Sequence, residues 1–193
     1  MQIVITGIGF RSALGDLNST WQSLLAGDSA IECLQPFVDL ASLPLALIDR
    51  KSPSTLHWLT QKVVAEAVKD AGLSLPLPDC GVTIGSSRSY QAEWEKLTVN
   101  PNSQADLTNW LDLLPQSPAI SAARDVGSRS AVLAPMAACA TGIWSFAQAV
   151  NLMRSGTCDR VIAGAVETPI TPLTIAGFTQ MGALAATGCY PFD

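Results

Sequence analysis

From Ala140 to Arg154 the chain reads A-T-G-I-W-S-F-A-Q-A-V-N-L-M-R, with apolar side chains on nearly every side and a charge only at the last position. A helix of that pattern has no face meant for water and requires cover all round. Ser155-Gly156 supplies a stop. Two short apolar runs bracket it, Ala131–Ala137 before and Arg160–Val166 after, and each reads as a strand buried in a sheet. Strand, buried helix and strand in that order point to an α/β layered sheet.

The remaining chain fits that frame. Gln2–Gly7 is a β-branched run ending in glycine, predicted as a strand buried on both faces. Asn18–Ala26 is predicted as a helix carrying apolar Trp21, Leu24 and Leu25 and closed by Gly27. Ala30–Ser52 is irregular, with prolines at 36 and 44. Helical spacing returns over Ser54–Ala71, where Leu56, Leu59, Val63, Val64 and Ala67 form one stripe before Gly72. Gly81–Gly85 reads as a short buried strand, and short helices are predicted near Asp106–Leu114 and Ala119–Val126. No linker, internal repeat or low-complexity segment divides the 193 residues, which read as one domain, or as one half of something larger.

Composition narrows the function classes. Only 14% of residues are charged and 48% are hydrophobic, against about 25% charged in ordinary soluble domains. Part of the surface is therefore expected to meet protein instead of water. The net charge of −5, with no basic cluster larger than Arg50-Lys51, argues against nucleic-acid binding. The N-terminus lacks a basic n-region and the chain lacks a long apolar run, so neither a signal peptide nor a membrane span is expected. Five scattered cysteines (33, 80, 139, 158 and 189), without a C-x-x-C pair, point to free thiols in a reducing cytoplasm and to no metal site.

Cys139 falls at a strand-to-helix turn among small neighbours, A-A-C-A-T-G. A helix N-terminus carries roughly half a positive charge and unpaired N–H donors, a setting for a nucleophilic thiolate and for an oxyanion. The competing reading is a buried thiol acting as a small hydrophobe. His57, the only histidine, lies on the ordinary helix after Arg50-Lys51 and reads as a surface or boundary residue. T-G-I-G-F-R-S carries Ser12 where a dinucleotide loop needs its third glycine, so it reads as a tight turn. Gly-Ser-Ser-Arg at 85–88 lacks the Walker lysine and reads as a loop. Glu167, at the end of the last strand, reads either as an active-site carboxylate or, more simply, as a local cap or pair.

Several strings together resemble a known family: A-A-C-A-T-G at 137–142, D-R-V-I-A-G-A-V-E at 159–167, I-T-P-L-T-I-A-G-F at 170–178 and M-G-A-L-A at 181–185. The opening V-I-T-G-I-G-F-R-S-A-L-G, the following T-W-Q-S-L-L-A-G-D-S-A-I and the closing Y-P-F-D extend the likeness to both ends. They resemble the condensing β-ketoacyl-acyl-carrier-protein synthases. The resemblance implies a thiolase-like layered α/β sheet, of which this chain would be the N-terminal half. It implies that Cys139 is the nucleophile, accepting an acyl group from the phosphopantetheine of an acyl carrier protein, with no other cofactor. It also places Phe178 near an acyl channel and Arg50 and Lys51 where the acidic carrier protein docks.

The same resemblance implies a homodimer, completed by a C-terminal half that holds two active-site histidines and a lysine. Without that half, at most acylation of Cys139 is expected, and no decarboxylative condensation with malonyl-carrier protein. Fatty-acid and polyketide use both remain open, as does a non-catalytic copy that dimerises with a full-length synthase. The loop at 85–90 and a shortened segment around 90–130 depart from the family pattern.

Overall fold

The computed structural model describes residues 2–49, 53, 55–99 and 110–190. They fall into two compact units, one formed by residues 1–9 and 55–168 and the other by residues 10–54 and 169–193.

The first unit is built on a three-stranded parallel sheet. Its centre is the strand Cys80–Gly85, here β5 in a chain-order numbering that starts with four short strands of the second unit. Val132–Leu133 (β6) and Arg160–Ala165 (β7) flank it, with Val82 opposite both Val132 and Ile162. Every residue of β5 is buried, so both of its faces are covered. The helix Thr141–Arg154 (α5) packs on β5 and β7, and Ser117–Val126 (α4) packs on β5 with Leu56–Asp70 (α2) against it.

Strand alternation explains the close fit of α5. Gly81, Thr83 and Gly85 point to one face, and the Thr83 hydroxyl donates to the Ser145 carbonyl of α5 at 2.7 Å. The buried positions of α5 are Thr141, Ser145 and Ala149, spaced four apart and all small. Small residues on both sides let helix and strand approach closely.

The large apolar residues of the same helix point elsewhere. Ile143 is 76% exposed, and Trp144 and Phe146 are each about half exposed. The all-round burial expected from the sequence is therefore corrected: the sheet covers one stripe and the bulky side chains lie outside it. Gln91–Val99 (α3), which the polar sequence concealed, forms a helix whose Trp94 indole donates to the Leu113 carbonyl in the 3-10 turn Trp110–Leu113.

Two other expectations change. Gln2–Gly7 pairs with no strand among the described residues, and Val4 and Ile5 are exposed. Its end lies flat against α2 instead. A β-carbon on Gly9 would collide with the Val63 carbonyl, and one on Gly7 would sit 2.5 Å from the Ala71 nitrogen. The Ile8 amide donates to the Asp70 carboxylate at 2.9 Å. The strand expected over Ala131–Ala137 shrinks to the two exposed residues of β6, because Pro135 removes a donor and the chain turns toward Cys139. The α2 stripe holds in part: Leu56, Leu59 and Val64 are buried, Val63 and Ala67 are half-buried, and Thr60 and Val68 complete the buried face instead.

The second unit contains the hairpin Arg11–Ser12/Gly15–Asp16 (β1–β2), the helix Leu17–Ala26 (α1), the hairpin Glu32–Leu34/Leu43–Leu45 (β3–β4) and the helix Pro172–Gln180 (α6). The hairpin β3–β4 replaces the irregular stretch read from sequence. Trp21, Leu24 and Leu25 are exposed on α1, and only Thr20 is buried there. Asp16 caps α1 by accepting from the Ser19 amide at 2.9 Å. That bond holds its carboxyl below the usual carboxylate range. A depressed carboxyl stabilises the fold above its unfolded pKa and loses that contribution as pH falls through the folded value. The protection of the Ser19 amide relative to its intrinsic exchange rate is thus expected to fall below the ordinary carboxylate range. Asp16→Asn, which keeps an acceptor without a charge, is expected to remove that pH dependence; an unchanged acid profile in the variant would count against the cap.

Candidate functional site

Cys139 stands exposed in the 3-10 turn Ala138–Ala140, directly ahead of α5. The sulfur of the A-A-C-A-T-G turn is thus presented to solvent, and the reading of Cys139 as a buried apolar thiol fails. Cys80 and Cys158 are the buried thiols, and burial pushes the Cys80 thiol up, away from reactivity.

The turn is shaped by three devices. Ala138 has φ +47°, the left-handed region that a residue with a β-carbon enters at a cost of roughly 1–2 kcal/mol. Thr141, 2% exposed at the first position of α5, reaches back to it. Its hydroxyl donates to the Ala138 carbonyl at 2.7 Å and accepts from the Ala137 amide at 3.0 Å. Beneath it lies Gly85, the last residue of β5. A β-carbon there would run into the Pro135 carbonyl and the Thr141 methyl and come within 3.2 Å of the Ser145 hydroxyl. The turn that carries Cys139 is seated on the sheet because Gly85 carries no side chain.

Glu167 follows β7 and pairs not locally, as its simpler reading had it, but with a loop some 80 residues earlier in the chain. Its carboxylate accepts from the Ser86 hydroxyl at 3.2 Å, from the Ser87 amide and from the Arg88 amide at 3.4 Å. It thereby joins the ends of β5 and β7 and orders the Gly-Ser-Ser-Arg turn, which is a loop as expected. Loss of a carboxylate acceptor strands backbone donors, so Glu167→Ala is expected to destabilise the chain by about 2–3 kcal/mol. Chemical denaturation would measure it, and a midpoint equal to that of wild type would show that the clamp carries no stability.

The other expected residues stand apart. His57 is exposed on the first turn of α2, the helix that packs on α4. Phe178 is half-buried on α6 and belongs to the second unit, whereas Cys139 belongs to the first. The second unit also holds an apolar groove of about 300 Å³ lined by Ile31, Leu43, Leu45, Leu184, Ala185 and Tyr190, and Phe178 does not line it. Arg50 and Lys51 lie outside the described residues. Among the described residues no cluster of His, Cys, Asp and Glu could hold a metal ion, and no helix is long and apolar enough to cross a membrane. The sequence reading missed Thr141 and Gly85; the glycine ending a strand and the threonine two residues beyond the cysteine were the available signals.

Solved structures share this architecture. The chain superposes with a TM-score of 0.83 and 20% identity on the ishigamide ketosynthase/chain length factor, covering 98% of this chain and 53% of that one. It superposes with a TM-score of 0.80 and 23% identity on a ketosynthase solved with its type II polyketide acyl-carrier protein and a bound hexaketide, covering 98% and 50%. The fold is thus the N-terminal half of the thiolase-like α/β fold of condensing enzymes. Residues 46–193 match the family model described as beta-ketoacyl synthase, N-terminal domain, and the chain belongs to that family.

Among curated relatives, 3-oxoacyl-[acyl-carrier-protein] synthase 2 of Staphylococcus aureus (strain MRSA252) is 30% identical over 220 residues, covering all of this chain and 53% of the relative. Nodulation protein E of Rhizobium meliloti (strain 1021) is 26% identical, covering all of this chain and 53% of that protein. The chain spans about half the length of the curated relatives it matches.

Proposed function

We propose that the chain is the acyl-accepting half of a 3-oxoacyl-[acyl-carrier-protein] synthase and that Cys139 is its nucleophile. The observation that carries the reading is the exposed thiol on a left-handed turn at the head of α5, in a chain belonging to the beta-ketoacyl synthase family. In the proposed step the Cys139 thiolate attacks the thioester carbonyl of an acyl group carried on phosphopantetheine. The carbonyl electron pair moves onto oxygen, where backbone N–H groups at the start of α5 are suited to hold it. Collapse expels the pantetheine thiolate, which takes up a proton, and leaves an acyl thioester on Cys139.

The partner would be an acyl carrier protein, with phosphopantetheine as the acyl handle. Support comes from the carrier-protein names borne by the relative and by the ketosynthase structure. Phe178 is proposed as a wall of the acyl path, and Arg50 and Lys51 as contacts of the acidic carrier. Condensation with malonyl-carrier protein would use the histidines and lysine that the family carries in its other half. A homodimeric, cytoplasmic synthase of fatty-acid or polyketide chains is the setting we propose.

The test is incubation with an acyl-carrier-protein thioester followed by intact-mass analysis and peptide mapping. An acyl-sized mass gain on the peptide containing Cys139 is expected. Folded protein that gains no mass, or gains it on another cysteine, would overturn the reading.

A further inference from the structure

We propose that Thr141 is the positioning residue of the nucleophile turn, its hydroxyl holding the backbone at 137–138 so that Cys139 faces an incoming acyl group. This inference rests on the acyl-transfer reading and adds a residue to it.

Ala138 sits in the left-handed region, where alanine does not rest unaided. Two backbone groups flank that strained residue, the Ala137 N–H and the Ala138 carbonyl. One hydroxyl satisfies both, at 3.0 and 2.7 Å. Thr141 is 2% exposed, so water does not readily take its place. The pin is itself anchored: the Ser145 hydroxyl donates to the Thr141 carbonyl at 3.0 Å, and Ser145 bonds to Thr83 of β5 through its own carbonyl. A chain of bonds thus runs from the centre of the sheet through the first turn of α5 to the residue before Cys139. Acyl transfer needs the sulfur held at a set angle to the carbonyl, and small misplacements of a nucleophile are costly. The hydroxyl supplies that setting without touching the substrate.

The experiment compares wild type, Thr141→Val and Thr141→Ser for acylation by an acyl-carrier-protein thioester, at equal folded fraction by near-UV circular dichroism. Amide exchange at Ala137 is measured alongside. Thr141→Val, which removes both bonds, is expected to slow acylation by about tenfold and to expose the Ala137 amide. Thr141→Ser, which keeps the hydroxyl and loses the methyl, is expected to restore both. Wild-type acylation rates in Thr141→Val would overturn the proposal. So would acylation in Thr141→Ser about tenfold slower than in wild type, which would assign the role to methyl packing and decides the matter even if the valine variant does not fold. A wild-type chain that takes up no acyl group counts against the acyl-transfer reading alone. In that case the pin stands or falls on whether Ala137 protection is lost in the valine variant and regained in the serine variant.

Discussion

Cys139→Ala is expected to abolish acyl-thioester formation while leaving the fold intact. The two halves of that expectation have separate causes. The sulfur is the only atom removed, and without it no thioester can form at this position. Because Cys139 is exposed, the change opens no cavity, and surface substitutions of this kind stay within about 0.5 kcal/mol. Intact mass after acyl transfer and a thermal melt check both halves. A variant that still gains an acyl-sized mass would move the nucleophile to Cys33 or Cys189, the other exposed thiols. A variant that melts far below wild type would make Cys139 a packing residue instead.

Gly85→Ala is expected to have the largest effect on stability. The added β-carbon would collide with the Pro135 carbonyl and the Thr141 methyl, neither of which is the end of a flexible chain. Overpacking of this kind costs about 3 kcal/mol at the upper end, or a melting temperature lower by roughly 6–12 °C in a chain of this size. Since Pro135 leads into the turn and Thr141 leads out of it, acylation should fall more steeply than the folded fraction. Gly164→Ala is the control: on the neighbouring strand a β-carbon meets nothing within 4 Å, and a change of at most about 1 kcal/mol is expected. Equal melting temperatures for the two variants would show that Gly85 is not the seat of the turn.

What could be read from the sequence was what burial or a stop residue writes plainly. β5 is apolar or small at every position and was predicted within one residue. α5 and α1 ended where Gly156 and Gly27 adopt positive φ. Cys139 was singled out by its small neighbours and by the family strings around it. Other features depended on partners distant in the chain. Gln2–Gly7 has strand composition, yet two glycines let it lie along a helix, and composition alone does not distinguish those fates. The β3–β4 hairpin, with three residues on each side and Pro44 in one strand, gives too short a pattern to register. The buried stripe of α5 consists of threonine, serine and alanine, so the bulky residues that drew attention to the helix were those the sheet leaves exposed. Glu167 offered a catalytic or a local role, and its bonds to Ser86, Ser87 and Arg88, some 80 residues away, could be read from neither.

The Glu167 clamp also sets a timetable for the chain at the ribosome. Its bond to Ser87 joins residues 80 positions apart, and the strands it ties are parallel neighbours. At about 5–20 residues per second, β7 emerges roughly 4–16 s after β5 itself. Throughout that interval the central strand, apolar or small on both faces, has an open hydrogen-bonding edge that local folding cannot close. Slowing translation between residues 90 and 160 would lengthen that exposure, and a holdase that binds extended apolar segments would find its target there before the sheet exists.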